Sequence, residues 1–161
     1  DVGYGILDYG LRSDPRVTVL ERTNARELTP EMLPAPSTGP PGFPDLAVVD
    51  VSFISLTKVL GAVIGCLGGE WEALAMIKPQ FEVGRARVGK GGVVREAADR
   101  RAALVAVGEA ALALGARVRG YHSSGLPGPK GNLETFVHLA AGGDGATSAD
   151  ELEELAREVE P

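Results

Sequence analysis

Two kinds of apolar pattern alternate along the chain. Leu46-Ala47-Val48-Val49 is a continuous apolar run, entered after Pro44 and closed by Asp50 and small polar residues, as in a strand buried on both faces. Leu56, Val59, Leu60, Val63, Ile64 and Leu67 then recur at helical spacing and stop at Gly68-Gly69, which predicts a crossover helix. Trp71 to Ile77 is a second buried run and ends at Lys78-Pro79. A long helix follows from about Glu96 to Leu114, stopped by Gly115, then an alternating strand over Arg117 to His122 and a closing strand over Glu134 to Leu139. Upstream, Tyr4 to Leu11 has helical character that ends before Pro15, and Arg16 to Leu20 reads as a short β-branched strand. Strand, helix, strand, helix and a final strand pair predict an α/β sheet.

Between these elements lie loops of distinct composition. Pro30 to Pro44 gathers many of the prolines and reads as a surface loop, and Gln80 to Val94 has no regular period. Ser123 to Asn132 is rich in turn residues. Gly142 to Gly145 predicts a flexible linker into a short acidic helix, with Ser148 and Glu151 in capping-box spacing. That helix carries only a narrow stripe of Leu152, Leu155 and Val159, so a solvated or frayed end is expected in preference to docking.

Composition narrows the function classes. The chain has 161 residues, 44% hydrophobic and 24% charged, which suits one globular domain with a substantial core. A net charge of −6 argues against wholesale polyanion binding but leaves room for a local basic patch. Cys66 alone cannot form an intrachain disulfide and has no companion ligands, so it is expected to be a small core residue in a reducing, cytoplasmic setting, with no metal site. No apolar run reaches the roughly 18 residues of a membrane helix.

Three side chains are candidates for chemistry. Asp50 ends one strand, Lys78 ends the next, and Glu134 opens the last. If the last strand runs antiparallel to the others, its start shares an edge with their carboxyl ends, and the three converge on one cleft. An amine between two carboxylates is an acid-base arrangement. The alternative for Asp50 is a simple turn cap.

The pattern resembles the TlyA-type haemolysin and ribosomal RNA methyltransferase family, itself similar to FtsJ-type RNA 2'-O-methyltransferases. The resemblance is carried by Asp1-Val2-Gly3-Tyr4-Gly5, Glu21-Arg22-Thr23-Asn24, Val49-Asp50-Val51-Ser52-Phe53-Ile54-Ser55, Lys78-Pro79-Gln80-Phe81-Glu82-Val83-Gly84, Val88-Gly89-Lys90-Gly91-Gly92-Val93-Val94 and Gly128-Pro129-Lys130-Gly131-Asn132-Leu133-Glu134. It covers nearly everything from Asp1 to about Leu139. It implies a Rossmann-like S-adenosyl-L-methionine-dependent sheet with helices on both faces, here lacking the first strand, the first helix and most of the second strand. The implied layout is a partial methyltransferase domain over residues 1–141, with residues 142–161 as linker and acidic helix.

The resemblance also implies roles. Asp50, Lys78 and Glu134 correspond to the last three members of a Lys-Asp-Lys-Glu tetrad, with Lys78 as general base on a ribose 2'-hydroxyl of ribosomal RNA. The first lysine has no counterpart here, so the expectation for this chain alone is a protonated Lys78 and no activity. Asp1, Asn24, Ala25 and Asp50 are the implied cofactor contacts, with terminal disorder as the alternative for Asp1 and a turn cap as the alternative for Asn24. Arg85, Arg87, Lys90, Arg95 and Lys130 are candidates for RNA phosphates or, equally, a solvated charged loop. A chain that begins at the end of a strand is expected to be truncated and to expose an unpaired strand edge, and so to be aggregation-prone, completed by a partner, or part of something longer. The competing function is a non-catalytic RNA-binding or haemolysin-like module. A nicotinamide enzyme would need a glycine-rich fingerprint that the chain does not contain.

Overall fold

The computed structural model describes residues 1–33, 43–142 and 148–160. Most of the predicted Pro30–Pro44 loop and part of the glycine linker lie outside the described residues. Four strands form one sheet: β1 (Leu46–Val49), β2 (Glu72–Ile77), β3 (Arg117–Pro127) and β4 (Leu133–Ala140), in the order β1-β2-β4-β3. β1 and β2 are parallel, and β4 runs antiparallel to both β2 and β3. The helices are α1 (Tyr9–Arg12), α2 (Leu60–Ile64), α3 (Pro79–Glu82), α4 (Ala97–Ala113) and α5 (Ala149–Val159).

Strand alternation decides where the core sits. Ala73, Ala75 and Ile77 of β2, Val137 and Leu139 of β4, and Val118 and Tyr121 of β3 are buried in one cluster with Leu104, Val107 and Ala111 of α4. The Tyr121 hydroxyl donates to the Leu104 carbonyl at 2.8 Å, and burial pushes its ionisation well above the ordinary tyrosine range. Cys66 is buried as expected. The expectation that the β1 run is buried on both faces does not hold: on the other face Leu46, Leu74 and Val48 are exposed, Val48 at 69%, because the core cluster with α4 covers one face of the sheet only.

The N-terminal segment departs from expectation. Gly5 adopts a φ of +71° and Asp8 caps a helix that begins only at Tyr9, so the helical stretch is one turn, not Tyr4 to Leu11. Arg16 to Leu20 forms no regular strand. Its neighbourhood is tied instead by isolated backbone bonds, from the Asp1 amine to the Leu20 carbonyl at 2.8 Å, from Thr23 N–H to Asp1 at 3.0 Å and from Arg22 N–H to Gly3 at 3.1 Å.

The acidic helix also departs from expectation, because it docks. Its capping box forms as predicted, while Leu152 and Ala156 are fully buried against α4 and β3. Gly108 of α4 explains how so narrow a stripe suffices: a Cβ there would stand 2.9 Å from Leu152 and 2.3 Å from the Tyr121 hydroxyl, so only glycine lets the helices approach this closely. The Arg100 guanidinium reaches the buried Glu160 carboxylate at 2.8 Å, and Arg101 donates to the Glu160 carbonyl at 2.9 Å.

Candidate active site

The sheet brings the three candidate side chains to one edge. β1 and β2 run parallel with Val49 opposite Ala75, so Asp50 and Lys78 leave the sheet at neighbouring carboxyl ends. Ile77 pairs with Thr135 of antiparallel β4, which sets Glu134 beside Lys78. Asp50 Oδ1 lies 2.7 Å from Lys78 Nζ, and Lys78 also donates to Ser52 Oγ at 2.9 Å. The lysine side chain is only 13% exposed, the Asp50 carboxylate 61%. Ser55, not Asp50, caps the following turn by accepting from Thr57 N–H at 3.2 Å. Glu134 is buried and makes no ion pair with Lys78 among the described residues.

Glu134 is placed by its neighbours. Its Oε1 lies so close to Gly128 that a Cβ there would stand 2.6 Å away, so that glycine admits the carboxylate. Asn132, 2% exposed, accepts from Val94 N–H at 2.9 Å and donates to the Gly92 carbonyl at 2.8 Å. One amide thus fixes the Val88–Val94 loop to the strand that carries Glu134. Asn132→Ala strands a buried N–H and a carbonyl, and is expected to lower unfolding free energy by about 2–3 kcal/mol, read as a midpoint shift in urea denaturation with an unchanged slope.

Two cavities meet at this edge. The larger, about 970 Å³, is bordered by Asp1, Asn24 and Ala25 on one side and by Asp50, Phe53 and Arg85 on the other. The smaller, about 340 Å³, is bordered by Lys78, Glu134, Phe81 and Lys130. Ser52, Phe53, Gln80 and Phe81 line both and form the wall between them. Phe53 is 91% exposed at a φ of +63°, with its ring 5.4 Å from that of Phe81. An aromatic residue held in the left-handed region and left in solvent is a strained placement of the kind found at functional sites.

The remaining sequence candidates divide. Asn24 Oδ1 accepts from Arg26 N–H at 3.1 Å, so it caps a turn and also lines the larger cavity. Arg85 and Lys130 line the cavities, whereas Lys90 and Arg95 are exposed outside both linings. Arg87 is committed structurally, donating to the Val83 carbonyl at 2.9 Å and lying 3.5 Å from Asp99. Sequence reasoning missed Ser52, Phe53, Gln80, Phe81 and Glu82 as site residues, although all five fall inside the motifs that carry the resemblance.

Glu82 has a distinctive environment. Its carboxylate accepts from Ser55 Oγ at 2.6 Å and from Leu56 N–H at 2.8 Å, while burial, the largest influence, pushes its pKa above the ordinary carboxylate value. A raised folded-state pKa means a contribution to stability that is full below the unfolded value and lost as pH rises through the folded one. The stability of the native chain relative to Glu82→Gln is therefore expected to fall as pH rises above the ordinary carboxylate range. Thermal unfolding of the two proteins across that rise checks the sign.

Comparison with known proteins places this geometry. Residues 1–141 match the family model described as FtsJ-like methyltransferase. The chain belongs to the FtsJ-like methyltransferase family. It is 49% identical over 154 residues to "16S/23S rRNA (cytidine-2'-O)-methyltransferase TlyA" of Mycobacterium tuberculosis, covering 96% of this chain and 55% of that protein. It is 40% identical over 162 residues to "Putative rRNA methyltransferase YqxC" of Bacillus subtilis, covering 99% of this chain and 55% of that one. The crystal structure of "a putative hemolysin from Lactococcus lactis" superposes with a TM-score of 0.81 at 32% identity, covering 98% of this chain and 73% of that one. This FtsJ-like chain thus spans about half the length of the curated relatives it matches. Among its described residues no helix is long and apolar enough to cross a membrane.

Proposed function

We propose that this chain carries the catalytic edge of an S-adenosyl-L-methionine-dependent ribosomal RNA ribose 2'-O-methyltransferase, acting in the cytoplasm where that substrate resides. The observation that supports this most is the 2.7 Å Asp50–Lys78 pair, which joins the two cavities: the carboxylate borders the larger and the amine the smaller. On this reading residues 1–141 form the methyltransferase unit and α5 is its buttress.

The larger cavity suits the cofactor by its donor set. The Asp1 carboxylate can accept from ribose hydroxyls, Asn24 and Ala25 can meet adenine, and Asp50 borders the amino-acid end. Its volume of about 970 Å³ also falls within the usual range for small-molecule sites. When bound, the cofactor would supply an electrophilic methyl group on a sulfonium.

The chain's own residues do the rest. Lys78 Nζ takes the proton of the ribose 2'-hydroxyl in the smaller cavity, which requires a free amine. Ser52 and Asp50 fix the direction of the amine, and Glu134 borders the same space. The exposed ring of Phe53 offers a stacking surface for an unstacked base, the usual way single-stranded RNA is read. Arg85 and Lys130, which line the cavities, provide positive charge for phosphates.

The test is a cofactor titration on a chimera in which this chain replaces its matching region in the M. tuberculosis relative. Binding of S-adenosyl-L-methionine that Asp50→Ala abolishes supports the reading. A folded chimera that binds no cofactor overturns it and favours a non-catalytic module.

A further inference from the structure

The turn after β1 has little to hold it in place. No N–H from Ser52 to Ser55 finds an acceptor among the described residues, and the turn contains Phe53 at a φ of +63°. Such a segment has a low cost of local opening unless side chains supply ties. Asp50 and Ser52 must nevertheless hold their places to within a fraction of an ångström if they are to aim Lys78.

Beside the packing of Val51 on the core, the ties from this turn to a neighbouring element come, among the described residues, from one place, the turn Lys78–Glu82. Lys78 reaches Asp50 at 2.7 Å and Ser52 at 2.9 Å, the Phe81 ring lies 5.4 Å from that of Phe53, and Glu82 takes hydrogen bonds from Ser55 Oγ and Leu56 N–H at 2.6 and 2.8 Å. The contacts run in order along the two turns, and Glu82 closes the series. Of the four, the Glu82 contact is the one that reaches the backbone of the β1 turn, since Leu56 N–H opens the Leu56–Lys58 turn. Both of its hydrogen bonds are made to a carboxylate, and bonds to charged groups are stronger than neutral ones. No ion pair to Glu82 forms among the described residues, so these two donors are what stabilise its charge.

We propose that Glu82 is a positioning residue for the active site: it clasps the turn after β1 to the turn after β2 and thereby sets the Asp50–Lys78–Ser52 geometry without touching either cavity's ligand. Its functional meaning rests on the reading of Lys78 as the proton acceptor, but its structural content does not, and the experiment separates the two.

The experiment is lysine footprinting of this chain itself, by brief acetylation with an amine-reactive ester and peptide mass spectrometry. The chain has four lysines, of which Lys58, Lys90 and Lys130 are exposed and serve as internal references for Lys78. In Glu82→Ala the rate at Lys78 is expected to rise about tenfold relative to the other three, the effect of losing one charged hydrogen-bond clasp. In Glu82→Gln the amide can still accept from Leu56 N–H and donate to Ser55 Oγ, whose hydrogen can turn to Thr57 Oγ1 at 2.7 Å, so the rate should stay within about twofold of native. If Glu82→Ala does not fold, Ser55→Ala removes one of the two bonds and should give an intermediate rise. An unchanged Lys78 rate in either folded variant, a rise shared equally by all four lysines, or failure of Gln to rescue would each overturn the proposal. None of these readouts depends on methyl transfer, so a clasp confirmed in a chain whose chimera is inactive would leave Glu82 standing and remove the methyltransferase reading.

Discussion

Replacing Lys78 with methionine in the chimera is expected to cut methyl transfer to ribosomal RNA about a thousand-fold, within the range that a general base contributes. Methionine keeps most of the aliphatic stem, so packing beneath the sheet edge is preserved while the amine is lost. The loss should fall on kcat, with the KM for ribosomal RNA and the affinity for S-adenosyl-L-methionine within about twofold of native, because the amine acts in the transition state and borders the smaller cavity only. Single-turnover transfer of labelled methyl groups measures the first quantity, and calorimetry the second. A variant that loses cofactor binding along with rate would point to a structural role for Lys78 through its pair with Asp50.

Leu152→Ala is expected to have a large effect on stability. The side chain is fully buried in contact range of Gly108, and truncating a buried leucine costs about 2–5 kcal/mol when the site cannot collapse. Against a total of about 5–15 kcal/mol this is a major fraction. For a chain of this size it corresponds to a fall in Tm of about 4–20 °C. Glu153→Ala on the exposed side of α5, whose partner Arg157 is 3.8 Å away, should stay within about 0.5 kcal/mol of native. If the two variants melt alike, α5 does not contribute to the core in solution.

Leu152 also marks a limit of what could be read from the chain. Its stripe is narrow, and nothing local in residues 148–160 says that it will find a facing glycine on another helix. Docking was decided by Gly108, some forty residues earlier, and a single glycine inside a helical pattern is ambiguous on its own. Strands β1, β2 and β4 were legible because continuous or alternating apolar runs leave few alternatives. The antiparallel sense of β4 was needed to bring Glu134 to the Asp50–Lys78 edge, and the pairing of Ile77 with Thr135 bears it out.

Arg16 to Leu20 failed for the opposite reason. Its β-branched residues favour an extended chain, but a strand exists only with a laddered partner, and the backbone bonds to Asp1 and Gly3 are isolated. Phe53 and Glu82 lie inside the motifs, but residue type alone does not mark them as parts of the site. A left-handed φ at a phenylalanine cannot be inferred from residue type, and the Glu82 clasp spans 26 residues to Leu56. Charge and position along a strand were visible in the sequence, whereas ties between turns were not.

The position of the transferred methyl group tests the central claim most directly. Ribosomal RNA incubated with the chimera and cofactor labelled in its methyl group is hydrolysed in alkali, which spares only linkages next to a 2'-O-methylated ribose. Label recovered in alkali-resistant dinucleotides, and absent when Lys78 is methionine, is the predicted result. Label released in mononucleotides, and hence carried by a base, would contradict it, as would ribose methylation that persists undiminished without the Lys78 amine.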